Sequence, residues 1–237
     1  MTDPQSLSQM NPCCLLQWGQ VNYPKAWAYQ RHWVNAKKRD STIDDCLILL
    51  EHDPVYTLGT GSSESFLKFS PDKPPAPLLR TERGGEVTYH CPGQLVGYPI
   101  LDLQHFQPDL HWYLRQLETV LINTVKRFEL QAETIPGLTG VWLEGKKIAA
   151  IAIKVSRWIS FHGFALNVNP DLTGFEAIVP CGIEDRPVGS LAQWCPGITR
   201  AQVESVLINC FAEQFGIQWQ TTPPPLGYLN EFGDSQG

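Results

Sequence analysis

"GVWLEGKKIAAIAIKVSRWISFHGFALNVN", residues 140–169, is the stretch on which the fold turns. Residues 140–155 read as two apolar strands around the polar pair Glu144-Gly145, the pattern of a hairpin. Residues 158–169 read as a further strand. Hairpin-joined strands lie antiparallel, so this stretch predicts a largely antiparallel sheet.

Upstream, "CLILLEH" (46–52) is a short continuous apolar run, as in a buried strand. "GTG" (59–61) follows as a turn. Leu78–Glu82, Glu86–His90 and Leu95–Leu103 are strand candidates, with Gly84-Gly85 as a hairpin-type break between the first two. A helix is predicted after Asn22, through "YPKAWAYQRHWVNAKKR". Asn22 caps it, Pro24 suits the first turn, and the basic end suits the C-terminus. Residues 109–129 carry Leu110, Leu114, Leu117, Leu121 and Phe128 at helical spacing. A last helix is predicted after Thr199, with Val203, Leu207, Cys210 and Phe211 on its apolar face. The fold class is therefore α+β: a mixed, largely antiparallel sheet with flanking helices. No repeat or domain boundary is visible, and "SPDKPPAP" (70–77) reads as a solvated loop. One domain over residues 13–221 is expected, between flexible tails at 1–12 and 222–237.

The 237 residues are 43% hydrophobic and 18% charged, which suits a globular core. A net charge of −6 argues against a broad nucleic-acid-binding face. No apolar run is long enough to span a bilayer, and the polar start does not read as a secretory signal. Seven cysteines, odd in number and without a CxxC, argue against a disulfide framework or a four-cysteine zinc site. A reducing cytoplasm is the expected compartment. The metal and phosphate motifs HExxH, GxxxxGK[ST] and GxGxxG are absent.

Several residues are candidates for chemistry. His90 and Cys91 are adjacent in "EVTYHCPGQL" (86–95), but neighbours in a strand face opposite sides, so His90 does not easily activate Cys91. Cys181 lies between Pro180 and Gly182 in "IVPCGIED". The local sequence leaves it open between a presented nucleophile and a buried loop cysteine. Cys195 reads as a helix-entry residue, Cys46 and Cys210 as core, and Cys13 and Cys14 as near a tail. Lys147 opens the apolar run "KIAAIAIKV" and is open between a desolvated base and a snorkelling edge lysine.

Four blocks together resemble the lipoyl(octanoyl) transferases, in the same order and over about residues 15–215: "LEHDPVYTLGTG", "RGGEVTYHCPGQLVGYPILDL", "GVWLEGKKIAAIAIKV" and "FHGFALNVNPDLTGFEAIVPCGI". The resemblance implies the fold of the biotin and lipoate protein ligase catalytic domains. It implies transfer of octanoyl from acyl carrier protein to a lysine of a lipoyl domain, without a cofactor or metal. In the family the cysteine of the PCG segment is acylated and the lysine of the KIA-type strand tunes it; those positions are Cys181 and Lys147. Substrate contacts would fall on Arg83, Gly84, Gly85, Glu86, Val87, Thr88, Tyr89 and His90, on Ala150, Ile151 and Ala152, and on Gly163, Phe164 and Ala165. Cys91 and Ala152 stand where many members have glycine.

The implied partners are octanoyl-acyl carrier protein, the lipoyl domains of 2-oxoacid dehydrogenases and the glycine cleavage H protein, met by a monomer. Both kinds of partner are expected to be acidic, so the basic side chains Arg83, Lys146, Lys154 and Arg157 are candidates for a local docking patch. Backbone N–H groups at Cys181-Gly182 are candidate oxyanion donors, and His162 is a second candidate base. The competing readings are an ATP-dependent lipoate or biotin ligase, an octanoyl amidotransferase, and a silent acyl-binding protein.

Overall fold

A computed structural model describes residues 11–182 and 186–220. Seven strands form the main sheet. Their spatial order is β10 (Ile217–Gln220), β1 (Asn11–Gln20), β2 (Asp45–Glu51), β6 (Gln94–Ile100), β9 (Ile159–Asn167), β8 (Lys146–Ser156) and β7 (Val141–Leu143). The β10–β1 and β1–β2 pairs are parallel, and the other four pairs are antiparallel. A second sheet of three short strands, β4 (Leu78–Arg80), β3 (Val55–Leu58) and β5 (Thr88–His90), stands beside it.

Strand alternation sends side chains to both faces of the main sheet. Leu47, Leu49, Leu95, Phe164 and Leu166 pack with the helices α2 (Leu110–Lys126) and α3 (Arg200–Phe215). Cys46, Ile48, Leu50, Val96, Tyr98 and Ala165 pack with α1 (Tyr23–Arg39). The helix limits follow from local chemistry. Asn22 accepts the Lys25 N–H, and Asp109 accepts from His111 and Trp112. Thr199 and Gln202 form a capping box, and α3 stops at left-handed Gly216. No helix among the described residues is long and apolar enough to cross a membrane.

Two expectations change. Asn11 and Pro12, read as tail, lie in β1 opposite Ile217 and Gln218, and Cys13 and Cys14 are buried there. The tails at residues 1–10 and 222–237 lie outside the described residues. Gly84-Gly85 is not a hairpin turn: β4 and β5 flank β3 on opposite sides, β4 parallel and β5 antiparallel to it. The glycines instead permit close approach. The Gly84 N–H reaches the Ile153 carbonyl of β8, and a Cβ on Gly59 would sit 2.1 Å from the Gly85 oxygen.

Candidate active site

Cys181 sits on a 3-10 turn (Pro180–Gly182) with φ 57° and ψ 19°, a left-handed conformation that costs a residue with a Cβ about 1 kcal/mol or more. The turn is held by its own amides. Cys181 N–H donates to the Val87 carbonyl (3.0 Å) and Gly182 N–H to the Val179 carbonyl (3.1 Å). Both amides are therefore spent on the fold, and the expectation that they serve as oxyanion donors is corrected. What they do is aim the thiol.

Lys147 meets that thiol: its Nζ donates to Cys181 Sγ at 3.2 Å. Lys147 is 7% exposed, so it is not a snorkelling edge residue. Its backbone is clamped on both sides of the chain. Lys147 N–H donates to Pro187 and Gly189 N–H donates to Lys147, while the Asn167 amide holds the Gly189 carbonyl. Its stem lies against Gly140, where a Cβ would sit 2.6 Å from Lys147 Cε, and its Nζ is 5.2 Å from the Trp142 ring centre. Gly140 has φ 139°, and its N–H is held by Glu118. Gly140→Ala is expected to push the lysine off its line to sulfur. Displacements of this size cost about 10²-fold in rate; the alkylation rate of Cys181 at pH 7 reads it. An unchanged rate would show that the glycine does not set the lysine's position.

The pair borders a cavity of about 210 Å³. Of the predicted contact residues, Arg83, Gly85, Glu86, Thr88, His90, Ala150, Ile151, Ala152, Gly163, Phe164 and Ala165 line it with Cys181 and Lys147. Gly84, Val87 and Tyr89 do not. Thr88 and His90 face the cavity, while Val87, Tyr89 and Cys91 turn into a separate apolar cluster with Phe175 and Ile178. His90 and Cys91 thus point apart. The Cys91 thiol, pushed up to about 11 mainly by burial, donates to the Asp171 carbonyl. His162, the second candidate base, also lines the cavity, as do Tyr23, Val96, Tyr98, Leu138 and Thr139, which the sequence does not single out. Strand alternation signals the shared face of Val96 and Tyr98; nothing local signals Tyr23.

Arg83 is not a docking charge. It is 4% exposed, and its guanidinium donates to the Thr57 hydroxyl and to the Thr57 and Gly84 carbonyls. It is a buried cation in the cavity wall, and burial pulls its pKa down. Lys146 donates to Gln193 and lies over Trp194, whereas Lys154 and Arg157 are exposed.

Two buried histidines, His90 and His162, line the cavity, and a third, His52, stands with its ring 5.6 Å from that of His90. His52 bonds the Val21 carbonyl (2.6 Å) and the Tyr98 hydroxyl (2.7 Å), and His90 Nδ1 bonds Gln94 Oε1 (2.7 Å). Gln94 spends its amide hydrogens elsewhere, so the Gln94 oxygen fixes the His90 proton on Nδ1. His162 breaks the strand pattern with φ 56°, and its N–H is caught by Gln30. Desolvation holds His52 at about 4 and His90 and His162 at about 3. All three are neutral at pH 7, and His162 is too weak a base to keep a proton taken from an amine.

These shifts make folding pH-dependent. Unfolded histidines bind protons below about 6.5, but the folded ones do not until about 4 or 3, so stability falls as pH falls through that window. Each contributes a loss of about 2 kcal/mol between pH 7 and pH 5. The urea midpoint is expected to drop steeply over that range; a flat profile would contradict neutral burial.

No group of three or more His, Cys, Asp or Glu among the described residues is placed to hold a metal ion. The lipoyl protein ligase A/B catalytic domain family matches residues 22–212. An octanoyltransferase of Synechocystis sp. is 67% identical over 90% of this chain and 94% of that protein. One from Nostoc punctiforme is 58% identical over 90% and 93%. Among solved structures, the bipartite lipoate protein ligase of Thermoplasma acidophilum, studied with its E2 lipoyl domain, superposes with a TM-score of 0.70. It is 19% identical and covers 90% of this chain and 87% of that one, a likeness of fold alone. The fold is that of the lipoate and biotin ligase catalytic domains. With the family matched across nearly the whole described chain, and relatives this close at full length, the chain belongs to the octanoyltransferase family of transferases.

Proposed function

We propose that the chain transfers an octanoyl group from octanoyl-acyl carrier protein to the lysine of a lipoyl domain, through a thioester on Cys181. The observation that carries this reading is the Lys147–Cys181 contact of 3.2 Å at the edge of an apolar-walled cavity. Lys147 takes the thiol proton, and the thiolate attacks the octanoyl thioester. The carrier's phosphopantetheine sulfur leaves with a proton from Lys147. The acceptor lysine then attacks the Cys181 thioester and Lys147, neutral again, takes the amine's proton; the acyl carbon–sulfur bond breaks, and the Cys181 thiolate recovers its proton from Lys147. The weakly basic His162 leaves no second base for this step.

Exchange between thioesters is near neutral in energy and thioester to amide runs downhill, so ATP has no role. The octanoyl chain lies along Ala150, Ala152, Gly163 and Ala165, small residues directly cross-strand on β8 and β9. Each buried methylene contributes about 0.8 kcal/mol, enough to select length over a few carbons. The acceptors are the lipoyl domains of 2-oxoacid dehydrogenases and the glycine cleavage H protein. Exposed Lys154 and Arg157 supply the positive charge that meets acidic partners. We place the reaction in the cytoplasm, where the free thiols stay reduced, and assign it to a monomer.

The test is transfer from octanoyl-acyl carrier protein to an isolated lipoyl domain, read by intact mass of the domain, with and without ATP. The expected result is equal modification in both. Modification only with ATP and free octanoate would replace this reading with a ligase.

A further inference from the structure

Acyl transfer through Cys181 needs donors for the oxyanion of its tetrahedral intermediate, and the nucleophile's own amide is committed to Val87 and its neighbour's to Val179. A second, smaller cavity of about 20 Å³ also borders the Lys147–Cys181 pair. That volume holds about one water, or one oxygen atom of a bound group. Thr88, Lys147 and Cys181 border both cavities.

The polar groups of the small cavity differ in what they have left to give. The Gln94 amide donates to Asn167 Oδ1 (2.9 Å) and to the Tyr89 carbonyl (3.4 Å), and the Asn167 amide to the Gly189 carbonyl (3.0 Å). The Thr88 hydroxyl takes part in no side-chain hydrogen bond among the described residues, and it is not one of their fully enclosed orphan atoms, so it opens onto the cavities that Thr88 lines. Its position is tied to the nucleophile: Val87, one residue earlier, is the anchor that receives the Cys181 N–H. Pairing of Thr57 with Thr88 holds the backbone, and Thr88 faces the cavities while Val87 and Tyr89 face away.

We infer that the Thr88 hydroxyl is a catalytic oxyanion donor, acting with the Lys147 ammonium across the small cavity. The inference rests on the transfer reading above. As the Cys181 sulfur bonds to the octanoyl carbon, the carbonyl π pair moves onto oxygen, which enters the small cavity and accepts from the Thr88 O–H and the Lys147 N–H. On collapse the pair returns to the carbonyl, the carbon–sulfur bond to the carrier breaks, and the leaving thiolate takes a proton from Lys147. In the second step the same oxygen re-enters the cavity when the acceptor amine attacks.

Thr88→Val removes the hydroxyl and keeps the shape; Thr88→Ser keeps the hydroxyl. Two reactions of Cys181 separate the roles. Acylation by octanoyl-acyl carrier protein passes through an oxyanion; alkylation by iodoacetamide does not. Thr88→Val is expected to slow single-turnover acylation by about 10²-fold or more while alkylating at the parent rate, and Thr88→Ser should acylate close to the parent. Parent-rate acylation by Thr88→Val overturns the assignment, as does a parallel loss of alkylation, which would mean that Thr88 acts on the thiol. If Thr88→Val does not fold, a folded Thr88→Ser that loses acylation equally overturns it too. No adduct on the parent chain removes the transfer reading itself.

Discussion

Cys181→Ala is expected to abolish octanoyl transfer, with a loss of about 10⁴-fold or more, because no other group can form the intermediate. The competing thiols are disqualified by position. Cys91 faces the opposite cluster with its sulfur bonded to Asp171. Cys13, Cys14, Cys46 and Cys210 lie in the core, and Cys195 packs against it. The substitution leaves the fold in place, since alanine keeps the Cβ and the turn is held by backbone bonds through Val87 and Val179. Unfolding temperatures of the two proteins should agree closely. Retained transfer by a folded Cys181→Ala chain would mean that no acyl-enzyme is formed.

Lys147→Met, which keeps the length of the stem and removes the amine, is expected to be nearly as damaging. Loss of a positioned acid–base group costs about 10²–10⁴-fold. Both half-reactions should slow, because in the proposed mechanism Lys147 carries the proton in each, and Cys181 alkylation at pH 7 should slow with them. Stability should hold or rise, since an amine 7% exposed, whose side-chain neighbours among the described residues are a thiol and the Trp142 ring, is desolvated with little return. Loss confined to the acceptor step, with acylation intact, would restrict Lys147 to taking the amine's proton.

Much of this was legible from residue order, for local reasons. The hairpin at Glu144-Gly145, the helix caps at Asn22 and Thr199 and the apolar run of β2 all announce themselves within a few residues. What stayed hidden depends on distant partners. Asn11 and Pro12 read as tail until β1 is set in parallel between β10 and β2, some 200 and 30 residues away in sequence. β3 is four residues long and acquires its meaning from β4 and β5.

The site divides in the same way. Alternation along 86–91 correctly separates His90 from Cys91. The residue types at Cys181 and Lys147 suggested chemistry but left both open, because desolvation is a property of the folded surroundings. The burial of Arg83 came as a reversal: its charge suggested a surface patch, and its partners on Thr57 lie 26 positions earlier. The spent amides of Cys181 and Gly182 could not be foreseen either, because the left-handed turn that uses them is visible only in three dimensions.

A covalent octanoyl thioester on Cys181 is the intermediate on which the proposed transfer depends. The most direct measurement mixes the protein with octanoyl-acyl carrier protein, quenches in acid, and reads intact mass and the modified peptide. The predicted result is one octanoyl group on the peptide containing Cys181, released by neutral hydroxylamine and lost to a lipoyl domain added before the quench. An adduct on another residue, or a modified lipoyl domain with no adduct on the protein at any time, would contradict it.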